Sequence, residues 1–439
     1  MRPSRIPHLV LFATAAASIP AAGSPAHATQ AQAAPAADAL ASAIREEAGG
    51  AVKRFYEERQ FRPLWVKGGR IGPQADTLIG YLETARLDGL KPSSYDIDDL
   101  REAIAAARGG DPLAVARAEV ELSEAFARYV RDQRRPRDVD MDYADSKLKP
   151  KKPKVETVLR AAAFPKSFEG YVKDMGWMSQ HYVRLRRLAA TAQKQGLSEA
   201  AAERLRLNLD RARLLPSPWT RHIVVDSSSG QLWYFEAGEQ VGTMRVVVGA
   251  KETQTPMLAG MLQWAILNPY WNVPTYLAQN NIAPKVLSGR TLASMRIEAL
   301  TDWSADAQKL PASSIDWAAV ASGNQEVRLR ELPGPANSMG RVKFLFPNEQ
   351  GIYLHDTPAR DLLKKNDRHF SNGCIRLEKA AELGRWLLQK SIRTSSKTPE
   401  QAVPLPVQVP VYLTYITAAA TESGLAFRPD VYGRDGGDG

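Results

Sequence analysis

Cys374 is the only cysteine of the chain, and His355 stands nineteen positions ahead of it, near enough for one loop to bring the two side chains together. A thiol is a poor nucleophile until it loses its proton; an imidazole beside it can take that proton and later return it to a departing amine. The pair therefore suits acyl transfer through a thioester. Gly373 lets the backbone approach a substrate closely, and the N–H groups of Gly373 and Cys374 are expected to donate to an oxyanion. His369, five positions before Cys374, is the competing base. The bland alternative for Cys374 is a small buried hydrophobe. A single cysteine also removes intrachain disulfides, Cys-rich zinc sites and iron–sulfur clusters, each of which needs at least two thiolates. No His-Glu-x-x-His spacing, Gly-x-Ser-x-Gly elbow or P-loop occurs, so neither a metal nor a cofactor is expected.

These residues need a scaffold, and the 439-residue chain has length for two or three domains. With 44% hydrophobic and 24% charged residues the composition is that of an ordinary globular protein. Residues 1–28 carry Arg2 and Arg5, a short apolar run from Leu9 to Ala17 and Ala26-His27-Ala28, the pattern of a secretory signal peptide. The apolar run is far shorter than the roughly 20 residues that cross a bilayer, and no later segment is long and apolar enough, so no transmembrane span is expected. The expected location is extracytoplasmic, the periplasm in a bacterium. Residues 29–43, rich in Ala, Gln and Pro, read as a linker that need not fold. From 44 to 216 the pattern is helical: Leu122, Phe126, Tyr129 and Val130 recur at spacings of three and four, and the segment stops before Pro136. His181 lies in this region, where a structural role is expected.

After Pro218 the texture changes to strands. His222–Asp226, Gln231–Phe235 and Met244–Val248 are short β-branched or aromatic runs separated by turn residues, and further strands are expected at 261–267, 342–346, 351–355 and 409–417. His222 at a strand edge again reads as structural. The expected fold class is α+β multidomain, a helical N-terminal domain followed by a mainly-β domain over 217–420. Within it, residues 285–340 show little strand character and read as an insertion that borders or covers a site. The tail, 421–439, is expected to be flexible. The formal charge of +10 becomes +8 without the leader and is spread along the chain; the one dense run, Lys147, Lys149, Lys151, Lys152 and Lys154, reads as a solvated loop. No zinc-finger or RNP-like pattern points to nucleic acid.

The segment from His355 to Arg376 resembles the signature of YkuD-type L,D-transpeptidases: His355, fifteen loop residues, then Ser371-Asn372-Gly373-Cys374-Ile375-Arg376. The likeness extends to Tyr353-Leu354-His355-Asp356-Thr357-Pro358, to Asn268–Pro274 and Pro333–Arg341, and to Phe55–Trp65 in the helical part, which is similar to the scaffold domain of the larger, YcbB-like subgroup. The resemblance implies a helical scaffold domain over 44–216 and a YkuD-like catalytic domain over 217–420. It also implies a periplasmic enzyme that crosslinks peptidoglycan: Cys374 attacks a stem-peptide carbonyl with His355 as base and then acid, and an amine of a second stem resolves the thioester. The family's third catalytic member is a backbone carbonyl, for which Asp356 is the candidate; Gly373 and Cys374 would form the oxyanion hole. Arg376 would engage a substrate carboxylate, with Asn372, Ser371 and Tyr353 shaping the substrate loop. Carbapenem-type inhibitors are expected to acylate Cys374. The alternatives are hydrolysis of the same thioester, giving a carboxypeptidase or amidase, and a non-catalytic wall-binding scaffold. Two departures stand out: Asn372 replaces the histidine many members carry before Gly-Cys, and Gly196 to Pro218 leaves no room for a peptidoglycan-binding module.

Overall fold

Leu122, Phe126, Tyr129 and Val130 lie on one buried face of a 22-residue helix, Pro112–Gln133, the axis of the N-terminal half. Its start is written locally. Asp111 caps it by accepting from the Ala114 N–H at 2.9 Å, and Pro112 occupies the first turn, where its missing N–H costs nothing. The computed structural model describes residues 26–304, 306–391, 398–422 and 424–436, with side chains from residue 37 onward. In chain order the helices are α1 (Ala26–Glu47), α2 (Gly50–Glu58), α3 (Gln74–Glu83), α4 (Ile97–Ala106), α5 (Pro112–Gln133), α6 (Val155–Ala163), α7 (Phe168–Lys173), α8 (Gln180–Gln195) and α9 (Glu199–Arg213). Serines at 167, 179 and 198 cap the last three.

The buried Glu119 on α5 explains the Phe55–Trp65 segment. Its carboxylate accepts from the Tyr56 hydroxyl at 2.6 Å, from the Leu64 N–H and from the Trp65 N–H at 2.9 Å, while the Trp65 indole N–H donates to Ser123. A buried carboxyl is costly unless satisfied, and here one side chain organises three positions of the motif.

Short strands β1 (Val66–Lys67) and β2 (Arg70–Ile71) form a hairpin within the helical part, and β3 (Asp142–Tyr143) leaves it to pair with the other half. That half comprises β4 (His222–Asp226), β5 (Gln231–Glu236), β6 (Glu239–Gly249), β7 (Leu258–Leu267), β8 (Trp271–Val273), β9 (Ile297–Leu300), β10 (Lys309–Leu310), β11 (Arg328–Glu331), β12 (Val342–Leu345), β13 (Leu354–His355), β14 (His369–Ser371), β15 (Ile375–Leu377) and β16 (Gln401–Thr414). The main sheet runs β12-β13-β15-β6-β5-β4-β16-β7, and β7 also pairs with β12, so the sheet closes on itself around Val225, Val246, Leu262, Phe344, Leu354 and Ile375. Closure leaves few unpaired edges. Gly260 permits it at one point, since a Cβ there would sit 2.2 Å from the Phe346 ring. Among the described residues no helix is long and apolar enough to cross a membrane.

Three expectations change. The Ala-rich stretch 29–43 is not an unfolded linker but part of α1; Leu40, Ala43 and Ile44 are buried against α5, because Ala and Gln favour helix wherever an apolar face finds a partner. The stretch 285–340 has strand character after all. Strands β8 to β11 form a four-stranded sheet with its own core of Val273, Ile297, Ala299, Trp317, Val320 and Leu329, so the inserted unit begins near Trp271. The segment from 421 is not a loose tail. Strands β17 (Ala418–Thr421) and β18 (Gly424–Phe427) pair against α8, and Asp435 is clamped by Arg204 at 2.5 Å and Arg211 at 2.6 Å. The leader expected over 1–28 lies outside the described residues except for its last three.

The two halves share a core. Val224, Phe235, Ala259, Tyr412 and Ile416 continue the cluster of α1, α2, α5 and α8. At this junction His181 on α8 stacks edge-on against Trp233 at 4.7 Å with neither ring nitrogen partnered among the described residues, and His222 lies flat on Phe235 at 4.8 Å. Burial, helped by the charges of Arg184, His222 and Arg428, pulls His181 down to about 3; burial pulls His222 to about 4. Both are neutral in the fold, and their native values lie below the unfolded one near 6.5. As pH falls through about 6.5 the unfolded chain takes up protons that the native chain refuses, so stability drops, each group approaching about 1.4 kcal/mol per pH unit. Thermal unfolding followed by circular dichroism between pH 7 and 5 is expected to show a falling Tm, with a shallower fall for His181→Phe. Parallel curves for the two proteins would remove His181 from this role.

Candidate active site

The site is built by one register. Strands β13 and β15 run parallel with Leu354 opposite Ile375 and His355 opposite Arg376, and the Ile375 N–H donates to the Tyr353 carbonyl at 3.0 Å. Side chains alternate across a strand, so Leu354 and Ile375, both buried in the closed sheet's core, face one way. Tyr353, His355, Cys374 and Arg376 then share the other face. His355 and Cys374 are diagonal neighbours there, and the thiol donates to the Gly351 carbonyl at 3.7 Å.

His355 is 2% exposed, and its Nδ1 lies 2.6 Å from the Asp356 carbonyl oxygen. A carbonyl can only accept, so Nδ1 carries the hydrogen and Nε2 is left as the basic nitrogen. Asp356 is itself held: its carboxylate accepts from the Arg341 N–H at 3.0 Å and pairs with Arg360 at 2.8 Å. Gly340 (φ +63°) makes room, since a Cβ there would lie 2.5 Å from the Asp356 side chain. Burial, against the pull of that carbonyl, brings His355 down to about 3, with Arg376 and Lys343 adding to the fall. Burial pushes the Cys374 thiol up to about 11, opposed by the Tyr353 amide and by Arg376. The resting pair is thus neutral thiol and neutral imidazole. For such a neutral pair to attack a carbonyl, the thiol proton would have to move as the bond forms, the pattern of general-base chemistry and not of a preformed ion pair.

Arg376 is half-buried, its charge disfavoured by burial, and among the described residues no carboxylate lies within ion-pair distance of it. The internal salt bridge that would make it structural is therefore missing among these residues. Asn372 is exposed, Ser371 is buried, and Tyr353 is half-buried with its ring 6.4 Å from that of His355.

The nucleophile turn corrects one expectation. The Gly373 N–H donates to Ser371 Oγ at 3.2 Å, and that hydroxyl donates to the Cys374 carbonyl at 2.6 Å. Gly373's amide is spent inside the turn, whereas the Cys374 N–H has no acceptor among the described residues and remains to serve an oxyanion. Gly373 is required for its backbone: φ is +103°, and a Cβ would press on Ile352 at 3.1 Å. His369 does not compete as base. Its Nδ1 lies 2.6 Å from Asp367 Oδ1 and its Nε2 2.9 Å from the Ser227 carbonyl, on β14 where that strand pairs with β6.

Sequence reasoning missed two groups. Tyr276, on the short α10 (Thr275–Leu277) of the inserted unit, has its hydroxyl held above the usual tyrosine range by burial first and then by the nearby Cys374. The second group is a buttress. Thr255 Oγ1 accepts from the Gly249 N–H at 2.9 Å and donates to the Gly373 carbonyl at 2.8 Å, while the Thr253 hydroxyl and the Ala250 N–H both donate to the Ser371 carbonyl. Tyr432 from the C-terminal segment donates to the Gly249 carbonyl at 2.6 Å, and Arg434 donates to Gln254 Oε1 at 2.8 Å. The docked C-terminus thus braces the loop that braces the nucleophile turn. Thr255→Val keeps the shape and loses the hydroxyl; it is expected to lower the rate of Cys374 acylation about tenfold, one misplaced hydrogen bond, with KM barely moved. A change confined to Tm, with the acylation rate intact, would reduce Thr255 to a structural role. The signal for it was the Thr-Gln-Thr-Pro run after β6.

Comparison with known proteins gives the class first: residues 220–409 match the family model of the YkuD L,D-transpeptidase catalytic domain, and residues 50–188 that of the Scaffold domain. The chain thus carries a Scaffold domain followed by a YkuD L,D-transpeptidase catalytic domain. A Haemophilus influenzae protein named "Putative L,D-transpeptidase" is 30% identical over 242 residues, 53% of this chain and 48% of that protein, so the chain spans about half the length of this curated relative. Among solved structures, an L,D-transpeptidase from Mycobacterium smegmatis is 13% identical over 44% of this chain and 58% of that one, TM-score 0.21. LdtMt1 in complex with imipenem has the same identity and coverage, TM-score 0.22. Structural likenesses this low say nothing about substrate or mechanism.

Proposed function

We propose that this protein is an exported, periplasmic L,D-transpeptidase that crosslinks peptidoglycan stems. The observation that carries the reading is the β13–β15 register, which gathers an oriented imidazole, a thiol and an unpaired guanidinium on one face. It is supported by the match to the catalytic-domain family. Sγ of Cys374 attacks a stem carbonyl as His355 Nε2 takes the thiol proton, and the Cys374 N–H receives the oxyanion. The C–N bond breaks, the imidazolium returns the proton to the departing amine, and a thioester remains. An amine of a second stem then attacks, giving up its proton to His355, and thiol and new amide are released. Each step exchanges one acyl bond for another, so the reaction needs no energy source beyond the original amide.

Arg376 suits the carboxylate of a diaminopimelate-type residue by a bidentate pair. Arg376→Ala is expected to raise KM for soluble disaccharide peptides at least tenfold with a smaller change in kcat, consistent with loss of about 1.4 kcal/mol or more of ground-state binding. Incubation with purified disaccharide peptides and mass spectrometry of the products tests the whole reading. Crosslinked dimers are expected; shortened stems alone would make the enzyme a carboxypeptidase, and no product with a folded protein would leave a wall-binding scaffold.

A further inference from the structure

At the junction of the helical and β halves, roughly 30 Å from the thiol, lies a cleft of about 940 Å³ that plays no part in the acyl transfer. The distance follows from β6, whose 11 residues run from Glu239 at the cleft to Gly249 beside the nucleophile turn at about 3.3 Å per residue. Two large aromatic side chains stand open on it: Phe164 is 80% exposed and Trp219 is 37% exposed. Their ring centroids are 6.1 Å apart at 88°, and the buried Tyr171 backs the indole at 6.5 Å. The β5–β6 turn is shaped to this indole, since Gly238 has φ +92° and a Cβ there would lie 3.0 Å from the Trp219 ring. Lys166 and Arg184, both exposed, line the same cleft, and among the described residues neither is in an ion pair.

An occupant has to offer flat, C–H-rich faces for two rings and polar, oxygen-bearing edges for a lysine and an arginine, beside the Asp174 and Glu239 side chains that also line the cleft. Pyranose rings do this: their axial C–H groups rest on the negative π face, and their hydroxyl and acetamido oxygens accept from cationic donors. A membrane surface fits less well, because the two rings stand at the lining of a cleft and not along the apolar face of an amphipathic helix. We propose that this cleft binds the β-1,4-linked, N-acetylated amino-sugar strand of the cell wall. The inference rests on the reading of the protein as a wall-crosslinking enzyme and adds how it docks. The stretch from Gly196 to Pro218, where a separate binding module would sit, holds little more than α9. Tethering the strand here raises the concentration of its stems at the thiol without touching the reacting bond.

The test uses the full chain and chitotetraose, a peptide-free strand of the same linkage, in calorimetric and indole-fluorescence titrations. Saturable binding is expected, weakened at least tenfold in Phe164→Ala and in Trp219→Ala, while both variants still form a carbapenem adduct at Cys374 at the wild-type rate. Phe164 is almost wholly exposed, so its removal does not threaten the fold. On intact sacculi the variants are expected to show KM raised severalfold, with KM for soluble disaccharide peptides unchanged. Absence of chitotetraose binding by a protein that still forms the adduct would overturn the proposal and leave the catalytic reading standing. So would equal binding by wild type and both variants, or Phe164-dependent binding to anionic phospholipid vesicles in place of the sugar. Loss of the adduct in the unmodified protein would instead strike the catalytic reading.

Discussion

Cys374→Ala is expected to abolish carbapenem acylation and dimer formation together, leaving no mass adduct on the intact protein. The effect is all-or-none because no other thiol exists in the chain. Burial holds the thiol near 11, so at neutral pH only the concerted route through the imidazole is open. Cys374→Ser separates geometry from chemistry. The hydroxyl occupies the same place and receives the same base, yet it is a far weaker nucleophile, and a residual rate at least a thousandfold below wild type is expected, about 4 kcal/mol of transition-state energy. An adduct of undiminished stoichiometry on Cys374→Ala, mapped by peptide mass spectrometry to another side chain, would overturn the assignment of the nucleophile.

His355→Ala is expected to cost about a thousandfold in the acylation rate, within the 10²–10⁴ range of a positioned general base. His369→Ala, whose ring is tied to Asp367 and to the Ser227 carbonyl, is expected to stay within about twofold of wild type. The pH profile gives a second reading of the same residue. Only the neutral imidazole can accept the thiol proton. Because burial lowers His355 to about 3, the neutral form persists well below the usual histidine range, and the acidic limb moves down with it. The acylation rate is therefore expected to stay level from pH 8 to pH 5, where an unperturbed imidazole would give a half-loss near 6.5. Carbapenem acylation is the right readout, since it involves no acceptor amine with its own titration. A midpoint near 6.5, or a profile unchanged by His355→Ala, would move the base elsewhere. The expected loss of stability on acidification, driven by His181 and His222, is followed separately by circular dichroism, so unfolding is not mistaken for titration of the site.

Much of the site was readable because its signals are local. Cys374, Gly373, Ser371 and Arg376 lie within six positions, and the parallel pairing of two short strands needs only His355 at a strand end and one loop between. The orienting carbonyl of Asp356 was expected from the family resemblance, and the folded strand end brings it to Nδ1 at 2.6 Å. Helix α5 was readable from its apolar spacings of three and four and its stop before Pro136, and β4, β5 and β6 from β-branched and aromatic runs between turn residues.

Long-range geometry decided the rest. Glycine before a nucleophile suggests an open amide, but Ser371 Oγ takes that amide in the folded turn, and no spacing rule distinguishes the two uses. Thr255 braces the nucleophile turn, and Tyr432 and Arg434 brace the loop of Gly249 and Gln254, each across more than a hundred residues, while Asp435 docks on Arg204 and Arg211 more than two hundred positions away. A Gly- and Asp-rich terminus looks free because composition records propensity and not partners. Residues 29–43 show the converse, a composition that need not fold, made helical once Leu40 and Ile44 find α5. The sequence by itself determined that one thiol and one imidazole stand a single loop apart, with glycine before the thiol and arginine after it, because residue type and short spacing need no tertiary contact. The tertiary structure alone decided which amide meets the oxyanion, what holds the nucleophile turn still, and that a cleft with two open aromatic rings forms at the junction of the halves. Those depend on pairings whose free energy appears only when distant segments are buried against one another.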